Sequence, residues 1–153
     1  MIGTPELSTQ RAFTAAVIPL DVPRDQMSAV MPPAIAELRH VIAEQGLRVT
    51  GSLFCHHVRL SRERFTFEVG FPVATEARAA GRVAPAHYPE LRIAHVVHTG
   101  PYEQLFKAWT AFEIWIQAAR LTTASTLFER YRRGPESGAP PTEWETELIR
   151  PLA

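Results

Sequence analysis

The chain has 153 residues and a mass of 17.1 kDa, enough for one domain, or one domain of two small halves, with a core that needs no disulfide or metal. Its 46% hydrophobic and 21% charged residues exclude disordered and collagen-like chains, and 16 Lys+Arg against 16 Asp+Glu give no basic excess to attract nucleic acid or an acidic membrane surface. No apolar run reaches the roughly 20 residues of a membrane helix. Met1–Gln10 is too polar and too poor in Lys and Arg for a signal peptide, and the single Cys55 makes no intrachain disulfide, so the expected compartment is the cytoplasm.

Ala12–Leu20 is a continuous apolar run closed by Asp21-Val22-Pro23, the pattern of a strand buried on both faces. A helix is predicted from Pro32 to Gln45, because a first turn tolerates prolines and an interior does not; Ile35, Leu38 and Ile42 form its stripe and Gly46 stops it. Val49–Leu60 and Phe65–Val73 are predicted strands joined by Ser61-Arg62-Glu63-Arg64, the second alternating apolar and other residues over its whole length. Ala74–Pro89, rich in Ala, Gly, Pro and Arg, is predicted to be a connecting loop. Leu91–Val97 is the next strand. A helix opens at Pro101 and carries Tyr102, Leu105, Trp109, Phe112, Ile116 and Ala119 at helical spacing to about Arg120. Strands over Thr126–Arg133 and Glu143–Leu152 flank a proline-rich hairpin loop, Gly134–Thr142.

This order is strand-helix-strand-strand, twice. Ala94–Val97 overlies Ala15–Ile18 at an offset of 79, and Glu147–Leu152 overlies Glu68–Val73 at the same offset, with E-x-x-x-P-apolar closing each copy. Between these segments the offset is 74, which puts Phe128 over Phe54. The fold class expected is therefore α+β: half-modules at 12–73 and 91–152 joined by a linker at 74–90, forming an antiparallel sheet with two main helices and a central groove about a pseudo-twofold axis.

His98-Thr99-Gly100-Pro101-Tyr102-Glu103, Ala108-Trp109, Trp115-Ile116, Phe128-Glu129-Arg130-Tyr131 and Thr146–Leu152 together resemble the motifs of the GyrI-like effector-binding domains, in order and over nearly the whole chain. The resemblance implies paired strand-helix-strand-strand modules around a groove that takes bulky amphipathic or aromatic small molecules. In the multidrug-responsive members of that family, a glutamate in an aromatic pocket meets cationic drugs. Some stand-alone members are hydrolases that open cyclopropane-containing compounds with a glutamate and a tyrosine, and one relative acts as a gyrase-inhibiting interaction module. Two features depart from the family pattern: Arg120 stands where a helix-terminating glycine is expected, and Arg132 and Arg133 add cations beside the Phe-Glu-x-Tyr strand.

Among candidate site residues Glu147 stands first. It is a carboxylate between apolar neighbours in a strand, costly to bury unless paired; the alternative is an edge glutamate facing water. Tyr131 follows Glu129 by two and shares its strand face, either as a pocket wall or hydroxyl donor or as an ordinary half-buried tyrosine. Trp109 lies on the core stripe of the second helix, Trp115 at its edge, and Tyr102 in its first turn; with Phe54 these complete the expected ligand-binding set. As an enzyme the chain would use Glu147 and Tyr131. Adjacent His56 and His57 face opposite ways, as do His95 and His98, and no metal-ligand spacing occurs, so neither a metal nor another cofactor is expected. The expected partner is a hydrophobic or amphipathic small molecule, with no direct contact to nucleic acid and no membrane.

Overall fold

A computed structural model describes residues 1–153. In chain order its elements are β1 (Glu6–Gln10), β2 (Phe13–Pro23), α1 (Met27–Glu44), β3 (Phe54–Leu60) and β4 (Arg64–Pro72). Then follow β5 (Ala84–Tyr88), β6 (Leu91–Thr99), α2 (Leu105–Ala118), β7 (Leu127–Arg133) and β8 (Glu145–Pro151). The fold is α+β. It divides into a first unit, Arg11–Glu90, and a second, Met1–Gln10 with Leu91–Ala153.

Each unit is a four-stranded antiparallel sheet carrying one helix. In the first unit the strand order is β5-β2-β4-β3; in the second it is β1-β6-β8-β7. The repeat read from sequence survives in fine detail. A bulge interrupts the β3–β4 ladder between His57 and Arg59 and the β7–β8 ladder between Tyr131 and Arg133, both 74 positions apart. The helices end alike as well. Leu47 N–H reaches back to Ile42 O at 3.0 Å, and Leu121 N–H to Ile116 O at 3.2 Å, the six-residue closure that needs a left-handed residue just before it. Gly46 supplies that residue at φ 63°, and Arg120 supplies it at φ 58°, the chain's one non-glycine at positive φ.

Three elements differ from the sequence reading. Helix α1 begins at Met27, so Pro32 and Pro33 lie inside it. Both are exposed, and the carbonyls of Ser28 and Ala29 that their missing N–H groups leave without helical partners lie on exposed residues too. The predicted connecting loop contains β5, which pairs with β2 from Phe13↔Tyr88 to Val17↔Ala84. The polar N-terminal stretch forms β1, paired with β6. Both are edge strands: each has one neighbour, so Pro85 costs no ladder bond on the open side.

In the second unit Ala108, Phe112 and Ile116 of α2 bury against Ala94 and Val96 of β6 and Leu148 of β8. One residue further along each strand, the side chains leave this face. The helix-side face therefore carries Glu129 and Tyr131 of β7, Thr146 and Leu148 of β8, and Val96 and His98 of β6. Arg130, Glu147, His95 and Ile149 stand on the other.

Candidate ligand-binding site

This alternation separates two acids that the sequence places close together. Glu147 pairs across the ladder with Arg130 and with Val97, on the face away from α2. Its Oε1 accepts from Arg130 Nη1 at 2.8 Å and its Oε2 from His95 Nδ1 at 2.9 Å. Arg130 continues to Gln10 Oε1 at 2.8 Å, and His95 Nε2 lies 3.1 Å from Ser8 Oγ. Glu147 is thus an anion already matched to a cation, with a side chain 12% exposed, in a network that ties β1, β6, β7 and β8 together. Apolar neighbours along the strand do not describe its surroundings, because they project to the opposite face or lie two residues away. Tyr131 pairs with Thr146, one register step from Glu147, so the expected catalytic couple of Glu147 and Tyr131 falls on opposite sides of the sheet.

Glu129 is placed differently. It is 8% exposed, on the α2 side, and both of its oxygens are engaged by uncharged donors. Trp109 Nε1 donates to Oε2 at 2.7 Å, and the Tyr131 hydroxyl donates to Oε1 at 2.8 Å. No lysine or arginine pairs with it. His98, on β6, feels the Glu129 charge, but its pKa is lowered, first by burial and then by the positive chain terminus. The imidazole beside Glu129 is therefore neutral near pH 7.

Further aromatic rings extend from the Tyr131 donor. Tyr102, in the short 3-10 turn before α2, meets Tyr131 edge-on with centroids 5.7 Å apart and leans on Trp144 at 4.8 Å. Trp144 is fixed by its Nε1–H donating to Ala139 O at 3.0 Å. The Tyr102 hydroxyl comes so near the backbone that a Cβ on Gly134 would meet it at 2.5 Å. Trp109 packs on Phe112 at 5.8 Å, and Trp115 lies on the other side of Phe112 at 6.4 Å, partly buried against the core.

The expected residues therefore divide. Trp109 and Tyr131 hold Glu129, and Tyr102 packs on Tyr131; Trp115 is partly buried against the core. Phe54 belongs to the first unit, where it is buried edge-on against Phe13 and Tyr88. Sequence reasoning put Glu147 first and left Glu129 and Trp144 out. The signal for Glu129 was available in its two-residue spacing from Tyr131, which fixes a shared face.

The first unit has its own polar cluster. Glu68, the repeat partner of Glu147, accepts from His56 Nδ1 and from the Tyr88 hydroxyl, each at 2.9 Å. The His56 bond, as the leading cause, holds the Glu68 carboxyl below its usual range, and burial raises the Tyr88 phenol. Arg132 is exposed and lies 3.9 Å from Glu145. No group of three or more His, Cys, Asp and Glu side chains is arranged to hold a metal ion, and no helix is long and apolar enough to cross a membrane.

Comparison with known proteins identifies the family and the fold. Residues 4–153 match the family described as the GyrI-like small molecule binding domain. No curated protein matches the chain. Among solved structures, the EcmrR C-terminal domain is 18% identical, with a TM-score of 0.86 over 98% of this chain and 97% of that one. The chain spans 57% of EcmrR as seen in its complex with DNA, at 19% identity, 97% coverage of this chain and a TM-score of 0.85. SAV2435 bound to tetraphenylphosphonium is 11% identical, with a TM-score of 0.72 over 99% of this chain and 94% of that one. A hydrolase from Listeria innocua is 13% identical, with a TM-score of 0.70 over 97% of this chain and 91% of that one.

Proposed function

Because the chain belongs to the GyrI-like small molecule binding domain family, we propose that its second unit binds an aromatic, positively charged small molecule against Glu129. The observation that carries this is a buried carboxylate whose two partners, Trp109 and Tyr131, are both neutral. An ionised carboxylate taken out of water costs several kcal/mol unless a cation matches it, and neutral donors offset only part of that. Glu147 has its cation within the fold; Glu129 awaits one. The rings of Tyr102, Tyr131, Trp109 and Trp144 supply the apolar and cation–π contacts suited to a lipophilic cation. That SAV2435, of the same fold, holds tetraphenylphosphonium supports the choice of ligand class.

The test is calorimetric titration with tetraphenylphosphonium and with neutral triphenylphosphine oxide. Glu129→Gln is expected to weaken the cation by roughly 10- to 100-fold, the worth of a charge-assisted contact, and to spare the neutral probe. Glu147→Gln is expected to change either by less than about threefold. Equal cation affinity in wild type and Glu129→Gln would overturn the assignment.

The 2.8 Å contact between Tyr131 and Glu129 supports a second reading, a hydrolase of strained electrophiles. Glu129 would act on the substrate or its attacking water, and Tyr131 would protonate the departing centre. Turnover that disappears in both Glu129→Gln and Tyr131→Phe would select it. Stoichiometric binding without product would reject it.

A further inference from the structure

Two side chains near Glu129 each carry one buried polar atom without a hydrogen-bond partner. His98 and Thr146 are each 0% exposed, and neither His98 Nε2 nor Thr146 Oγ1 makes a hydrogen bond. They face each other across the β6–β8 ladder, on the α2 side, which places their Cβ atoms about 4.5–5.5 Å apart. The Met1 amine nitrogen lies 3.3 Å from His98 Nδ1 and can only donate, so Nδ1 accepts and Nε2 carries the ring hydrogen. The Pro101 and Met1 backbone carbonyls both approach the ring closely enough to favour its protonated form, although Nε2 has no partner of good hydrogen-bond geometry. The pair thus offers one N–H donor and one hydroxyl.

The surroundings of Thr146 are those of the proposed ligand site. Tyr131 is its neighbour on β7 and Trp144 precedes it by two residues, while Tyr102 bridges these two rings. Glu129 lies one pleat further along β7. Leaving both polar atoms unsatisfied costs the folded chain stability. Elsewhere in this unit Glu147, Arg130, His95, Gln10 Oε1 and Ser8 form a connected network, and Gln10 Nε2 and Arg150 Nε are the other buried polar atoms without a partner.

We infer that His98 and Thr146 form a second, neutral subsite that receives an oxygen of the ligand, a hydroxyl or carbonyl, beside the cation held at Glu129. The oxygen accepts from His98 Nε2–H and from the Thr146 hydroxyl, or donates to the latter when it is itself a hydroxyl. Reaching it requires the Tyr102 ring to swing off Tyr131 and Trp144. The ligand is then a cationic aromatic compound bearing an oxygen at a defined distance from its charge. This deepens the proposed function and rests on it for the ligand's location and charge, while the oxygen-binding pair is read from His98 and Thr146 themselves.

The experiment compares tetraphenylphosphonium with a derivative carrying one ring hydroxyl, titrated into wild type, Thr146→Val and Glu129→Gln, with melting curves of each unliganded protein. Valine replaces an unsatisfied hydroxyl with a methyl of nearly the same size, so folding is expected to be retained. In wild type the hydroxylated probe is expected to bind about tenfold tighter, one hydrogen bond's worth. In Thr146→Val that preference collapses towards one, and the unliganded protein melts higher because an unsatisfied hydroxyl has gone. In Glu129→Gln both probes weaken and the preference persists. No preference in wild type, a preference retained in Thr146→Val, a lower melting point for that variant, or failure of both probes to bind would overturn the subsite. Unaltered affinities in Glu129→Gln, with the preference still lost in Thr146→Val, would overturn the cation assignment and leave the subsite standing.

Discussion

Arg120→Gly is expected to stabilise the protein. Arg120 occupies the left-handed position that ends α2, at φ 58°, where Gly46 stands at the end of α1 with φ 63°. In that conformation the Cβ of an L-residue crowds its own carbonyl at about 1–2 kcal/mol, a cost glycine does not bear. Glycine in turn loses more backbone freedom on folding, about 0.5–1 kcal/mol. The Arg120 side chain is exposed and makes no hydrogen bond or ion pair that would be forfeited. The difference leaves a gain of roughly 0.5–1 kcal/mol, or about 1–4 °C in Tm for a chain of this size. Thermal melts and urea titrations of wild type, Arg120→Gly and the mirror change Gly46→Arg provide the measurement. The mirror change should lose stability by about the same amount. A lower Tm for Arg120→Gly would refute the strain argument, since glycine's entropic handicap would then be the larger effect.

Glu147→Gln leaves Arg130 without its charge partner in a largely buried network, and should lower stability by about 1–3 kcal/mol in urea titrations. Restoring neutrality with Arg130→Gln in the same chain should recover part of that loss. Gly134→Ala pushes the Tyr102 hydroxyl aside; stability should change little, because a side-chain tip can move, while tetraphenylphosphonium affinity shifts measurably. His98 has a pKa below its ordinary 6.5, so the unfolded chain takes up the proton first. Stability is therefore full above about pH 6.5 and falls as the pH drops below it, and melts at pH 7.5 and 5.5 should show a smaller difference in His98→Gln. Glu68, below its ordinary 4.5, adds a further loss beneath that pH, which Glu68→Gln should blunt.

The elements that dominate the fold were legible because each leaves a periodic trace. The alternation over Phe65–Val73 and the stripe Leu105, Trp109, Phe112, Ile116 report which side of each element is buried, and β4 and α2 lie where those traces put them. β1 and β5 left none. An edge strand is held by one ladder of backbone bonds and buries few side chains, so Glu-Leu-Ser-Thr-Gln and Ala-Pro-Ala-His-Tyr look like loop. The early start of α1 was hidden because prolines weigh against a helix interior; here part of that cost is relieved, since the carbonyls they leave unpaired lie on exposed residues. Among the expected site residues, the structure brings Trp109 and Tyr131 together on Glu129 and sets Glu147 on the other face of the sheet. Apolar flanks in sequence mark Glu147 as costly to bury, but they do not show that the next strand brings Arg130 opposite.

The duplication itself separates structure from recognition. Positions that serve the sheet should carry similar chemistry in both copies, and a position recruited for a ligand need not. At the offset of 79, Glu147 repeats Glu68; at 74, Arg130 repeats His56, and in each unit the acid accepts from the basic side chain directly across the ladder. That pair is an inherited fastening between adjacent strands, which explains why Glu147 is neutralised. The helix-side positions two apart on β7 behave otherwise. Glu129 stands over Cys55 and Tyr131 over His57, so the buried acid and its phenol donor belong to the second unit only. A buried charge of no use to the repeated architecture is held at a stability cost, and a cation arriving from outside is the partner that would offset it.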